Sequence, residues 1–169
     1  MLAADVATNV LASALWEIAI RPLYRSAFSR VFPSSDRRAL EAALDEAAEQ
    51  LARSEQSDSV PAAAWSEFFE ANEMRTLAQD LVAFRLDQAG ADLTDLKAAF
   101  STSWRLVAYR KGIPEDRVDV DEVFGALVKA VDTVLQVAIG RGVLSAHEAK
   151  AAARHRVVEA RLDVIESLL

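Results

Sequence analysis

A long apolar stretch occupies residues 119–139, DVDEVFGALVKAVDTVLQVAI, and it predicts a buried helix that other helices must cover. Asp119 followed by Glu122 has the spacing of a capping box, and Gly140 and Gly142 favour a stop at the other end. At ~1.5 Å per residue the helix would span roughly 30 Å, so we predict that it forms the centre of a helical bundle. Its apolar residues recur every three or four positions, as on one helix face: Val120, Val123, Phe124, Leu127, Val128, Val131, Val134, Leu135 and Ala138.

Composition supports an all-α fold and narrows the function. The 169 residues are 52% hydrophobic and include only 5 Gly and 4 Pro, so turn-forming residues are few. A net charge of −7 disfavours general binding to the phosphate backbone of nucleic acids. The chain has no cysteine, which excludes disulfides, thiol catalysis and cysteine-based zinc sites. A reducing compartment is compatible with this, and we expect a cytoplasmic protein.

The N-terminal segment predicts an amphipathic helix over residues 3–20. Asp5 and Glu17 interrupt its apolar run well short of the ~20 residues that a membrane span needs. We therefore expect no membrane-spanning helix here, and none elsewhere in the chain. Pro22 should kink or restart the helix, because it has no N–H to donate. The inward residues are predicted to be Val6, Val10, Ala14, Leu15 and Ile18.

The remaining helices are predicted from apolar stripes separated by short connections. Residues 53–60 are the most polar run and form the best loop candidate. Ser145 and Glu148 repeat the capping-box spacing and open the last helix. Short connections favour antiparallel neighbours, so we predict one all-α domain over residues 1–169, a bundle of six to eight helices. The stripes are Leu40, Leu44, Ala47 and Leu51; Met74, Leu77, Ala78, Leu81 and Phe84; Leu93, Leu96, Phe100, Trp104 and Val107; and, in the last helix, Val158, Leu162, Ile165 and Leu169, with Val157, Val164 and Leu168 beside them.

The sequence carries no motif that predicts catalysis. His147 and His155 lie eight residues apart and do not complete the His-Glu-x-x-His pattern of a metalloprotease. Carboxylates near Asp119 are better explained by a helix start, where the macrodipole favours negative charge. Gly140 and Gly142 lack the lysine and the preceding strand of a phosphate loop. We therefore predict no catalytic, cofactor-binding or metal-binding residues, and no enzyme activity.

One aromatic group has two interpretations. Trp65, Phe68 and Phe69 are close together, and such clusters usually belong to a core. The alternative is an exposed groove for a partner helix, because tryptophan and phenylalanine are common at interface hot spots. The three residues are therefore the candidate partner-binding residues.

The order of four segments resembles the N-terminal helical domains of bacterial NACHT-type proteins, which are STAND NTPases related to animal NLR immune receptors. The segments are ALEAALDEAAEQLA (39–52), WSEFFEANEMRTLAQDLV (65–82), ADLTDLKAAFSTSW (91–104) and VDVDEVFGALVKAVDTVL (118–135). The resemblance implies a domain that precedes an ATPase module and serves as an effector, adaptor or scaffold in anti-phage defence or signalling. The chain has no Walker motif, so ATP binding is not carried over to it.

Two other functions remain open. The N-terminal helix could insert into a membrane as an effector. The last two helices could bind DNA as a transcriptional regulator through Lys150, Arg154, Arg156 and Arg161, although nearby carboxylates dilute this charge. We expect the partner to be a protein, or a neighbouring domain of the same polypeptide, rather than a small molecule, nucleic acid or a membrane.

Overall fold

Helices account for the architecture, and the predicted all-α bundle is confirmed. A computed structural model describes residues 11–22, 37–53, 68–70, 72–87, 93–114 and 119–169, and no strand occurs within these ranges. A short helical stretch at 68–70 accompanies six longer helices. These are α1 (residues 11–22), α2 (Arg37–Ala52), α3 (Asn72–Asp87), α4 (Leu93–Arg110), α5 (Val120–Gly140) and α6 (Ala146–Leu168).

Helix α5 is the predicted central helix, and its apolar face is buried as expected. The Asp119 side chain caps it by accepting a hydrogen bond from the backbone N–H of Asp121 at 2.9 Å. Val120 and Val128 are only half-buried, whereas Ala130 and Val137 join the core. The buried residues are Val123, Phe124, Leu127, Ala130, Val131, Val134, Leu135, Val137 and Ala138.

Glycine ends α5 where the chain must adopt a left-handed conformation. Gly142 has a φ of 73°, and its N–H donates to the carbonyl of Ile139 at 3.1 Å. The next N–H, of Val143, donates to the carbonyl of Ala138 at 2.9 Å. These two bonds define a Schellman motif. Of the two glycines predicted to stop the helix, Gly142 is the one that requires glycine geometry, since Gly140 is still helical.

Helix α3 packs against four of the other five helices. It contacts α1, α4, α5 and α6, while α2 and α4 also pack on α5. One core runs through all six helices. The stripes predicted for α3 and α4 are buried, apart from Phe84 and Leu93, which are half-buried. In the stripe predicted for α2, Leu40 and Leu44 are half-buried, whereas Ala47 and Leu51 are buried.

The face predicted for α1 is only partly correct. Leu15 is buried, but Ala14 and Ile18 are half-buried, and the core instead takes Trp16 and Ile20. Val6 and Val10 lie outside the described residues. The cause is local: Trp16–Ile20 is π-helical, and the N–H of Arg21 donates to the carbonyl of Trp16. A wider turn rotates the residues around it relative to a regular α-helix, so a 3.6-residue stripe misses the true core face.

Helix α5 is long and apolar enough to cross a membrane, contrary to our expectation that no segment reaches that length. In this structure it packs inside the bundle, and 56% of its most apolar window is buried there. Buried core helices share this length and hydropathy with membrane spans.

Ion pairs join the helices around the core. Arg85 and Asp132 form a bidentate pair between α3 and α5, with N–O distances of 2.7 and 2.6 Å. The hydrogen bond to Asp132 raises the pKa of Arg85 above its ordinary value, in spite of partial burial, which lowers it. The other interhelical pairs are Glu46–Arg141 between α2 and the end of α5, Asp80–Arg156 between α3 and α6, and Lys97–Asp121 between α4 and α5.

Candidate interaction surface

Helix α6 has two halves with different environments. In its first half, Ala149, Ala152 and Ala153 are buried. Ser145 caps this half by accepting a hydrogen bond from the N–H of Glu148 at 3.5 Å. The guanidinium of Arg156 then donates to the Asp80 carboxylate of α3 at 3.0 Å. Small alanines allow close approach to α3, so the first half anchors α6 on the bundle.

The second half of α6 carries large apolar side chains that no described part of the bundle covers. From Val158 to the last residue, every side chain whose burial is described is exposed. Six of the eight large exposed hydrophobic residues in the described ranges lie here. We call these six residues the terminal apolar face: Val158, Leu162, Val164, Ile165, Leu168 and Leu169.

The terminal apolar face is contiguous and helical. Val158, Leu162 and Ile165 follow each other at intervals of four and three residues along one side of the helix, and Leu169, the residue after its last helical position, comes four residues later. Single exposed leucines are common, but clustered apolar residues on a helix are typical of sites that bind another surface. The sequence predicted that these residues share one side; the structure adds that this side is exposed.

The polar residues of the same segment are mainly acidic. Glu159, Asp163 and Glu166 are exposed, and Arg161 is the single basic residue among them. A phosphate backbone or an anionic lipid surface would be repelled by three carboxylates. The residues proposed for DNA binding are also divided, because Arg156 is held by Asp80 whereas Lys150 and Arg154 are exposed. The charge of this second half therefore disfavours a phosphate backbone or an anionic lipid surface.

The aromatic residues singled out from the sequence are placed differently. Phe68 and Phe69 are 0% and 2% exposed and contact each other edge to face, with ring centroids 5.2 Å apart. Phe68 also packs against Phe100 and Trp104 of α4. Both phenylalanines are thus core residues, and a partner could not reach their rings in this conformation. Trp65 lies outside the described residues.

The titratable residues do not converge on a site in the part of the chain that the structure describes. No group of three or more His, Asp or Glu residues is arranged there to hold a metal ion. His147 and His155 are both exposed, and His155 lies 3.4 Å from the Glu159 carboxylate. Asp121, near the start of α5, pairs with Lys97 at 2.9 Å.

The exposure of the terminal apolar face could not be read from hydrophobic periodicity alone. One signal was present: α6 changes from alanine-rich in residues 149–153 to valine, leucine and isoleucine in residues 157–169. A helix that packs closely through alanine at one end and carries large exposed residues at the other has two different environments.

Comparison with protein-family models, with curated proteins and with solved structures found no match to this chain.

Proposed function

We propose that this chain is a non-enzymatic protein-interaction module, and that it binds its partner through the terminal apolar face. The observation that carries the proposal is the contrast within α6. Its first half is packed on α3, and its second half keeps large apolar residues exposed on one side. Exposed apolar surface of this kind lowers solubility, and a binding function would explain why the chain has it.

The more specific role in a NACHT-type defence or signalling protein rests on the order of helices in the sequence. In such a protein the bundle would precede an ATPase module, and α6 would lead towards it. The terminal apolar face would then transmit the state of the receptor by binding either a neighbouring domain or another protein. Turnover of nucleoside triphosphates, NAD or nucleic acid by the pure chain would contradict the non-enzymatic part of this proposal.

A membrane-acting role for the N-terminal helix is less well supported. Trp16 and Ile20 of α1 are buried in the core, and the carbonyl of Ile18 accepts a hydrogen bond from Gln79 of α3. Insertion of α1 into a membrane would require all of these contacts to break. Leakage of liposomes caused by the intact chain would revive this alternative.

Site-specific photo-crosslinking tests the proposal. A photo-reactive amino acid at Ile165 should give a defined cross-linked protein in cells that produce the chain. The same probe at Leu106 is a matched control, because that side chain is 56% exposed on α4, where Tyr109 is the other large exposed hydrophobic residue among those that the structure describes. Equal cross-linking at both positions, or none at Ile165, would contradict a binding role for the terminal apolar face.

A further inference from the structure

We propose that the terminal apolar face binds the same face on further copies of this chain, with the α6 helices parallel. This inference rests on the proposed function and identifies the partner. It follows from the spacing of the apolar residues, from the charges beside them and from the way the bundle holds α6.

The spacing is that of a coiled-coil seam. Intervals of four, three and four residues place Leu162 and Leu169 at heptad position a, and Val158 and Ile165 at position d. All four are exposed, so the seam is open to another helix. Any amphipathic helix that packs on other helices shares this spacing, so it fits an equivalent helix that supplies the same knobs and holes. The charges beside the seam identify that helix as a second copy.

The flanking charges select the parallel orientation. Arg154 and Arg161 occupy position g, while Glu159 and Glu166 occupy position e. In a parallel pair, a g residue faces the e residue five positions further along the other helix. Arg154 then faces Glu159 of the second copy, and Arg161 faces Glu166 of the second copy.

An antiparallel pair would place like charges together. Positions e would face e, and positions g would face g, so glutamates would approach glutamates and arginines would approach arginines. Like charges brought together at an interface oppose that arrangement. The Glu159 carboxylate also lies 3.4 Å from His155 of its own helix. Both side chains are about half exposed, so Glu159 remains accessible to a second copy.

The bundle prepares α6 for association. Isolated helices of about 12–15 residues are marginal in water, but the second half of α6 continues a helix whose first half is packed on α3. Binding therefore does not have to order the helix, which lowers the cost of association. Since the seam covers fewer than two heptads, the affinity should be weak, and the fraction of associated protein should rise with its concentration. Leucine at a with isoleucine at d favours trimers or tetramers over dimers.

Analytical ultracentrifugation of the full chain tests the inference. The mass of the wild type should rise from 18.4 kDa towards a multiple of it as concentration increases. Leu162→Asp should weaken association at least about tenfold, because it places an unpaired charge in the seam. Leu106→Asp is the control, since Leu106 and Leu162 are 56% and 53% exposed, and it should behave as the wild type. Circular dichroism checks that each variant folds.

Charge exchange tests the orientation. Arg161→Glu and Glu166→Arg should each weaken association about two- to fivefold, and the double variant should recover it. A double variant no better than either single variant would overturn the parallel arrangement.

The two proposals fail separately. A wild type that stays at 18.4 kDa at all accessible concentrations overturns self-association. If the probe at Ile165 then captures a different protein, the interaction role stands and the partner is that protein. If the probe captures nothing, both proposals are overturned.

Discussion

The side-chain amide of Gln79 donates a hydrogen bond to the backbone carbonyl of Ile18, with an N–O distance of 3.0 Å. Pro22 lies four residues after Ile18 and has no N–H with which to make the usual helical bond to this carbonyl. A residue 61 positions away in the sequence supplies the missing donor. The contact also fixes α1 on α3, beside the π-helical turn at Trp16–Ile20.

Removing this donor should destabilise the fold. Gln79→Met keeps the approximate shape of the side chain but leaves the Ile18 carbonyl without its donor, at a cost of about 1–3 kcal/mol in the free energy of unfolding. Urea denaturation followed by circular dichroism measures the change. In a Pro22→Ala background, the backbone N–H gained by the substitution can donate to the Ile18 carbonyl, so the cost should fall. An equal loss in both backgrounds would show that Gln79 does not compensate for Pro22.

The central helix should tolerate no loss of volume on its buried face. Leu127 is 0% exposed in the middle of α5, so Leu127→Ala should cost ~2–5 kcal/mol through lost burial and the cavity left behind. Gln136→Ala, at an exposed position of the same helix, should change stability by less than about 0.5 kcal/mol. A change at Leu127 as small as that at Gln136 would mean that α5 is not the core helix.

Alanine substitution should change the stability in opposite directions at two glycines, one within α5 and one just after its end. Gly142 has a φ of 73°, so Gly142→Ala forces a left-handed alanine and should destabilise by about 1 kcal/mol. Gly125 is helical and exposed, and a Cβ there would meet no atom within 4 Å. Gly125→Ala should therefore stabilise by about 0.5–1 kcal/mol. Thermal unfolding of both variants gives the signs, and a stabilised Gly142→Ala variant would refute the geometry at Gly142.

The Arg85–Asp132 pair should be coupled. The bidentate geometry joins α3 to α5, and both side chains are about one-third exposed, so solvent screens part of the attraction. A double-mutant cycle with Arg85→Ala and Asp132→Ala should give a coupling of about 0.5–1 kcal/mol. Arg85→Lys should recover only part of it, because lysine lacks the planar fork. Additive single effects would mean that the pair is not formed in solution.

Local sequence signals accounted for the elements of the bundle. The N-cap at Asp119, the stop at Gly142 and the N-cap at Ser145 depend on one or two neighbouring residues, and all three occur where the sequence places them. Most of the apolar residues that recur every three or four positions in α5 are buried together, because a regular helix places such residues on one face.

Features that depend on distant residues could not be predicted. The bond from Gln79 to Ile18 and the pair between Arg85 and Asp132 join separate helices, and hydrophobic periodicity carries no information about them. The buried face of α1 was missed for a different, local reason, because the π-helical turn at Trp16–Ile20 does not follow the 3.6-residue period. The site was harder still: Phe68 and Phe69 were candidates for binding because of their residue type, and the structure buries them. The terminal apolar face has the same apolar spacing as a core helix, so the sequence alone did not show that it is exposed.

Oxidative cross-linking of single-cysteine variants shows directly whether the terminal apolar face binds the same face of a second copy. The chain has no cysteine, so a single introduced thiol gives an unambiguous product. In a parallel pair, Leu162→Cys places identical thiols side by side in the seam, whereas Ser167→Cys lies on the outer side of the same helix. We predict rapid disulfide-linked dimers from Leu162→Cys and slow, collision-limited ones from Ser167→Cys. Equal rates for the two variants would contradict self-association through this face.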